Sequence, residues 1–388
     1  MPFWLLNRVG GEYLLTILSV RSVTPLDNFI SNGASSLPII KTVFFMRKYF
    51  KRTLFIVGFS LFFLFFFGYF FTPLEIPFLT GQVGKTEPIK EIAWGVNFSQ
   101  KHAELLGLDW KAVYSAILEE LKVKNFKIAA QWDLIEPREG EYNFEDLDWQ
   151  IREAEKRGAK ILLVIGMKTP RWPECHIPDW AKGLNKKEQQ KSILKLIEKI
   201  VLRYRDFQNI KYWQVENEPF FPFGECPWAD KDFLKQEVDL VKSLDSLKGP
   251  VLISDSGEGS FWFNAAKFGD VVGTTMYKKV WFHQVGFYFR YPFPPTFYGR
   301  KAEIIKKLFN KKVICIEFQA EPWCPTLLYD CSPKEQEKTM DLEQFQKNIE
   351  FAKKTGLDEF YLWGAEWWFW MKEKHDDSRI WDEAKKLF

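Results

Sequence analysis

Histidine, cysteine and methionine are scarce in this chain, at four, five and six among 388 residues. No two His or Cys ligands recur at a zinc-binding spacing, so neither a metal site, Cys175-His176 included, nor any other cofactor is expected. Charge of one sign is lacking as well. Lys and Arg number 54 against 51 Asp and Glu, and residues 1–72 hold seven basic and two acidic ones, leaving 47 against 49 for residues 73–388. That remainder has no basic excess for a phosphate backbone, and no nucleic-acid partner is expected. No short repeat is present, and no Gly-rich phosphate loop follows the first strand-like run. Trp94-Gly95-Val96-Asn97-Phe98-Ser99 stands there instead, which argues against an open dinucleotide-binding sheet.

What is abundant near the N-terminus is apolar length. Thr53 to Leu74 is 22 residues without a charge, preceded by the basic cluster Arg47-Lys48-Tyr49-Phe50-Lys51-Arg52. This predicts a transmembrane signal anchor over 46–72 with the rest of the chain on the extracytoplasmic side, or secretion if the segment is cleaved. Residues 1–45 form no obvious domain, and Met46 reads as an alternative translation start. The stretch 73–88, with Pro73, Pro77, Gly81, Gly84 and Pro88, reads as a linker.

Residues 89–388 alternate apolar runs with amphipathic helical patterns. Strand-like runs end near Asn97, Gln131, Gly166, Glu216, Ser254, Met276, Glu317 and Trp363. Helical patterns lie around 110–122, 145–157, 185–205, 230–246, 262–267, 299–309, 334–355 and 376–387. Runs such as Ile161-Leu162-Leu163-Val164-Ile165 are continuously apolar, as in strands covered on both faces. Eight such units in about 300 residues are the size of an α/β (β/α)8 TIM barrel, taken here as one domain and one monomer.

In that fold the loops after the strands gather on one face and carry the chemistry. The polar residues there are Asn97, Gln131, Asn217, Glu218, Asp255, Tyr277 and Glu317. Trp132, Trp172, Trp228, Trp281, Trp323, Trp363, Trp367 and Trp368 lie at or beyond the same ends. Flat indole faces stack well on sugar rings, so this accumulation favours a carbohydrate groove. Glycosidic cleavage needs a carboxyl group on either side of the anomeric carbon, and Glu218 and Glu317 close the fourth and seventh strands.

Asn217-Glu218-Pro219 after the fourth strand and Ile316-Glu317-Phe318 after the seventh resemble the signatures of retaining glycoside hydrolases of clan A. The segment Trp132-Asp133-Leu134-Ile135-Glu136-Pro137-Arg138-Glu139-Gly140-Glu141-Tyr142-Asn143-Phe144 resembles the loop after strand two in families 5, 35, 39 and 42, the cellulase-like family 5 being closest. The resemblance covers residues 91–370. It implies Glu218 as acid/base, Glu317 as nucleophile, Asn217 on the sugar's 2-hydroxyl, Tyr277 orienting the nucleophile and Trp363 as a platform under the sugar. Trp132, Asn97, Trp323 and Glu321 complete the expected substrate-binding set. Glu216 and Glu321 stand two residues before and four after the assigned pair and are the alternatives to it. Where much of the clan has Arg in strand two, this chain has Lys127, which cannot form a bidentate fork and puts the contact to the nucleophile in question.

Cys315 lies inside a strand and is expected to be a buried free thiol. Cys175, Cys226, Cys324 and Cys331 fall on the mouth loops and suggest disulfides, with Cys175–Cys226 and Cys324–Cys331 favoured among three pairings. The expected activity is cofactor-free cleavage of β-linked polysaccharide or oligosaccharide. The alternatives are an envelope-glycan transglycosylase and a catalytically inactive carbohydrate-binding barrel.

Overall fold

The computed structural model describes Phe55, Phe59, residues 68–70 and residues 91–388 apart from 246 and 284. The N-terminal extension, nearly all of the expected anchor and the linker lie outside the described residues. Among those described, no helix is long and apolar enough to cross a membrane.

Eight parallel strands close into a barrel: β1 (Ala93–Asn97), β2 (Asn125–Ala129), β3 (Lys160–Ile165), β4 (Ile210–Val215), β5 (Val251–Asp255), β6 (Val271–Met276), β9 (Lys312–Gln319) and β10 (Glu359–Trp363). Their order around the barrel is β1-β10-β9-β6-β5-β4-β3-β2. These are the eight expected strands, displaced by no more than a residue or two at their ends. The continuous apolar runs divide by strand alternation. Leu162, Val164, Tyr212, Leu252, Val271, Ile314, Ile316 and Tyr361 fill the interior of the barrel. Ile161, Leu163, Ile165, Val313 and Cys315 face outward into the larger core beneath the helices. Cys315 is the buried free thiol that its place in the strand predicts.

The helices form for local reasons and cover the strands. Lys186–Tyr204 starts at Asn185, which forms a reciprocal capping box with Glu188, and it buries Ile193, Leu196, Ile197, Ile200, Val201 and Tyr204 at helical spacing. Among the departures from the expected plan, three concern the second half of the barrel. An antiparallel hairpin, β7 (Lys279–Phe282) with β8 (Phe287–Arg290), intervenes before helix Pro295–Phe309, and its Trp281 packs edge-on to Tyr288. The pattern over 334–355 is a short turn, Pro333–Gln336, and a separate helix, Leu342–Lys353, because Asp341 caps a new N-terminus. An additional helix, Ala365–His375, follows β10 directly. It buries Trp367 and Trp368, which hydrogen-bond Gln336 and the Ala320 carbonyl, so these two indoles belong to the core.

Candidate active site

Glu317 reaches the mouth through a break in strand register. Thr274 pairs with Cys315 but Thr275 pairs with Glu317, and on the other side Phe360 pairs with Cys315 but Leu362 with Phe318. One extra residue on β9 therefore re-aims the chain after Ile316. Ile316 fills the barrel interior, and its neighbour Glu317 also turns inward. There the Lys127 ammonium lies 2.6 Å from Glu317 Oε1, and the Tyr277 hydroxyl donates to Oε2 at 2.9 Å. Lys127 and the carboxylate are both almost fully buried. The lysine thus makes the contact that its substitution for Arg put in question, by a single bond rather than a fork. The Tyr277 hydroxyl titrates well above its ordinary range, first from burial and then from the neighbouring carboxylates, so it stays a donor.

Glu218 is placed by a turn at the end of β4 in which Glu216 and Glu218 adopt left-handed φ of 59° and 43°. Such backbone costs on the order of 1–3 kcal/mol per non-Gly residue and persists where surroundings enforce it. Here the Ser254 hydroxyl accepts the Glu218 N–H at 2.8 Å, and the buried Lys168 ammonium donates to the Glu218 and Phe221 carbonyls at 3.1 and 2.8 Å. The Thr275 hydroxyl donates to Glu218 Oε1 at 3.1 Å. Burial, then repulsion from Glu317 and Glu174, raises the Glu218 carboxyl well above the usual carboxylate range, the condition for a proton donor at neutral pH. The two alternatives face elsewhere. Glu216 accepts the Met167 and Lys168 backbone N–H groups at 2.8 and 2.6 Å. Glu321 pairs with Arg171 and lies near His102; burial opposes its ionisation, but the Arg171 charge and His102 hold it at about 2.

Asn217 is fixed at both ends of its amide. Its oxygen accepts from Gln214 at 3.0 Å and faces Lys127 at 3.5 Å, while its nitrogen donates to Glu174 at 3.1 Å. Glu174 is a third buried carboxyl in the site, pushed up to about 8 chiefly by burial. Sequence reasoning missed it, together with Arg171 and Lys168. All three sit on the loop after β3, and the only signal was that Glu174 adjoins Cys175.

The remaining expected contacts separate. Asn97 donates to the Ile316 and Tyr361 carbonyls at 3.0 and 3.2 Å, while its buried oxygen has no partner among the described residues and lines a small cavity with Lys127, Gln131 and Trp363. Trp323 packs edge-on to Tyr277 at 5.1 Å. Trp363 has one face covered by the Arg171 guanidinium, 4.1 Å from its centroid, so that face is not the open platform expected. Trp132 is corrected more fully. It is completely buried, bonds Glu136 through its indole nitrogen at 2.9 Å and holds the loop after β2 together, out of reach of a substrate. Trp228 is spent on Gln189 in the helical layer. Cys175–Cys226 and Cys324–Cys331 are both bonded, tying the loops after β3 and β4 together and closing a turn after β9.

A family model of glycoside hydrolase family 42, described as β-galactosidase, matches residues 109–236, a stretch that includes Asn217-Glu218-Pro219 and stops short of Tyr277 and Glu317. A β-galactosidase of Lactobacillus acidophilus is 29% identical over 29% of this chain and 20% of its own. The match thus spans about a fifth of the curated relative's length. Among solved structures, a cold-adapted β-galactosidase of Rahnella sp. R3 superposes with TM-score 0.50 at 11% identity, covering 78% of this chain and 56% of that one. A family 5, subfamily 18 protein of Bifidobacterium longum subsp. infantis superposes with TM-score 0.50 at 13% identity, covering 70% and 69%. Both likenesses establish the barrel. Family 42 is among the families whose strand-two loop this sequence resembles, and its match includes Asn217-Glu218-Pro219. With the closed barrel and the ordered strand-end motifs, the partial match makes the chain similar to the glycoside hydrolases of clan A.

Proposed function

We propose that this protein is a retaining β-glycosidase acting on oligosaccharide or polysaccharide. The observation that carries the reading is the unlike treatment of two buried carboxyls. Glu317 accepts from a cation and a phenol on its two oxygens, while Glu218 is held above its usual range. Two carboxyl groups in unlike environments are what acid and nucleophile roles require. Glu218 gives its proton to the glycosidic oxygen as a Glu317 oxygen attacks the anomeric carbon, forming a glycosyl ester and releasing the leaving group. Loss of the Glu317 charge then lowers the proton affinity of Glu218, which takes a proton from water as that water attacks the anomeric carbon and breaks its bond to Glu317. Glu317 leaves as a carboxylate and Glu218 is again protonated. The two disulfides support an extracytoplasmic site of action, in keeping with the anchor proposed from the sequence.

The test is Glu317→Ala assayed on activated β-aryl glycosides from a panel of sugars. The expected outcome is loss of turnover, partial rescue by azide, and a glycosyl azide of inverted configuration. Undiminished turnover, or rescue at Glu321→Ala instead, would refute the assignment.

A further inference from the structure

An aromatic strip on the barrel lies outside the catalytic contacts. In the β7–β8 hairpin Phe282 pairs with Phe287 and Val280 with Phe289, and directly paired residues of an antiparallel ladder share a face. From Phe287, ring centroids step 6.5 Å to Phe289, 5.2 Å to Tyr291, 6.1 Å to Phe293 and 4.3 Å to Phe297. The next ring, 5.6 Å beyond Phe297, is Phe70.

The far end of the strip is open to solvent. Val285 at the hairpin tip is 56% exposed, Phe287 49% and Phe282 38%. Contiguous exposed apolar side chains of this size mark a contact surface. The hairpin carries Lys279, His283 and Arg290 and no acidic residue, so its own charges favour an anionic surface. Its base is fixed. The Gln319 side-chain oxygen accepts the Lys278 and Lys279 N–H groups at 2.8 and 2.9 Å, and its nitrogen donates to the Lys279 carbonyl at 2.6 Å.

The near end of the strip decides what covers it. Phe70 belongs to the uncharged run Thr53–Leu74, yet it is buried with its ring against Phe261 and Phe297. Its carbonyl accepts the Thr296 hydroxyl at 3.3 Å, and the Arg300 guanidinium lies 4.8 Å from the Tyr69 ring centroid. Only 17 uncharged residues, 53–69, precede Phe70. A helix needs about 17–25 apolar residues to cross the hydrocarbon core, so an anchor here leaves no spacer between bilayer and barrel. The barrel surface at Phe70 then meets the headgroups, and a strip continuous with it runs along the same boundary, where aromatic side chains are favoured.

We propose, resting on the anchor reading given above, that this face of the barrel docks on the bilayer itself, with Phe282, Val285 and Phe287 entering the interfacial layer. The anchor and the hairpin are two attachments at opposite ends of one strip, and together they fix the orientation of the barrel on the membrane.

The test uses the full chain with Val285→Cys carrying an environment-sensitive dye. Cys315 is buried and the other four cysteines are disulfide-bonded, so the new thiol is the one that takes the dye. The protein is reconstituted in phosphatidylcholine–phosphatidylglycerol vesicles containing a lipid with a nitroxide near its headgroup, and the exposed Lys195→Cys, on helix Lys186–Tyr204, is the control. The dye at 285 should be quenched at least about threefold more than the dye at 195, and adding Phe282→Asp and Phe287→Asp should remove the difference. Equal quenching at both positions, in chain that stays with the vesicles through an alkaline wash, would overturn the docking and leave the anchor standing. Chain stripped from the vesicles by that wash would overturn the anchor reading and the proposal with it. A difference that survives the two Asp substitutions would mean that the anchor alone brings the tip near lipid, and would overturn the contact. A dye at 285 that is shielded from water yet not quenched would show the tip covered by protein, such as a second copy of this chain, and would overturn it too. Should the double Asp variant fail to fold, the contrast between positions 285 and 195 in the otherwise unaltered chain still decides.

Discussion

Glu174 offers a sharp test of the electrostatics, because it is a buried acid that can be replaced without substituting either assigned carboxyl. In the fold it titrates near 8, and burial is the largest cause. In the unfolded chain a glutamic acid titrates near its ordinary value of 4.5. Between those values the folded protein keeps a proton that the unfolded chain has lost. The native state therefore binds more protons, and stability falls as pH rises, by 1.36 kcal/mol per unit for one group. The contribution of this side chain is neutral below about pH 4.5 and reaches its full cost above about pH 8, about 5 kcal/mol in all. Glu174→Gln keeps an oxygen that can accept the Asn217 amide N–H and removes the titration. Urea denaturation of parent and variant at half-unit steps from pH 5 to pH 9 is the assay. The two stabilities should lie close at pH 5 and diverge by several kcal/mol at pH 8, the variant being the more stable. Parallel curves would refute the reasoning, and a more stable parent at pH 8 would mean that Glu174 is ionised and paired in the fold.

Lys127→Met should cost about 3–5 kcal/mol in chemical denaturation, since it leaves the buried Glu317 carboxylate without its cation at 2.6 Å, and turnover should fall with it. An unchanged midpoint would exclude a buried ion pair at that position. Gly166→Ala should destabilise by at least about 2 kcal/mol, because Gly166 has φ +114° and a Cβ there would meet the Glu216 carboxylate at 2.4 Å. A melting temperature within a degree of the parent would show that the Glu216 carboxylate does not press on the β3 turn.

Much of the architecture was legible because barrel strands carry their own signal. Eight apolar runs with both faces buried, each followed by an amphipathic helix, leave few alternatives. Lys127 was legible as a departure from the Arg that much of the resembled clan carries in strand two, and the interior pairs it with Glu317. Less was legible where function depended on which way a loop turned. A chain rich in Trp after its strands points to a sugar site, yet Trp132, Trp367 and Trp368 are core residues and only some of the others reach the mouth. Burial of an indole depends on what packs over it, and its neighbours in sequence do not reveal that.

The sequence by itself determined the fold class, the order of the strand-end motifs and the two carboxyls worth naming. These are properties of periodicity and residue type along one segment. Tertiary structure decided the rest. The extra residue on β9 turns Glu317 inward beside Ile316, and the turn after β4 holds Glu218 in left-handed backbone. The loop after β3 brings Glu174 to Asn217 and Arg171 to Glu321 across 150 residues of chain. Register, backbone handedness and long-range pairing arise only when distant segments close on one another, and it is these that separate a carboxylate held by a cation from an acid held above its usual range.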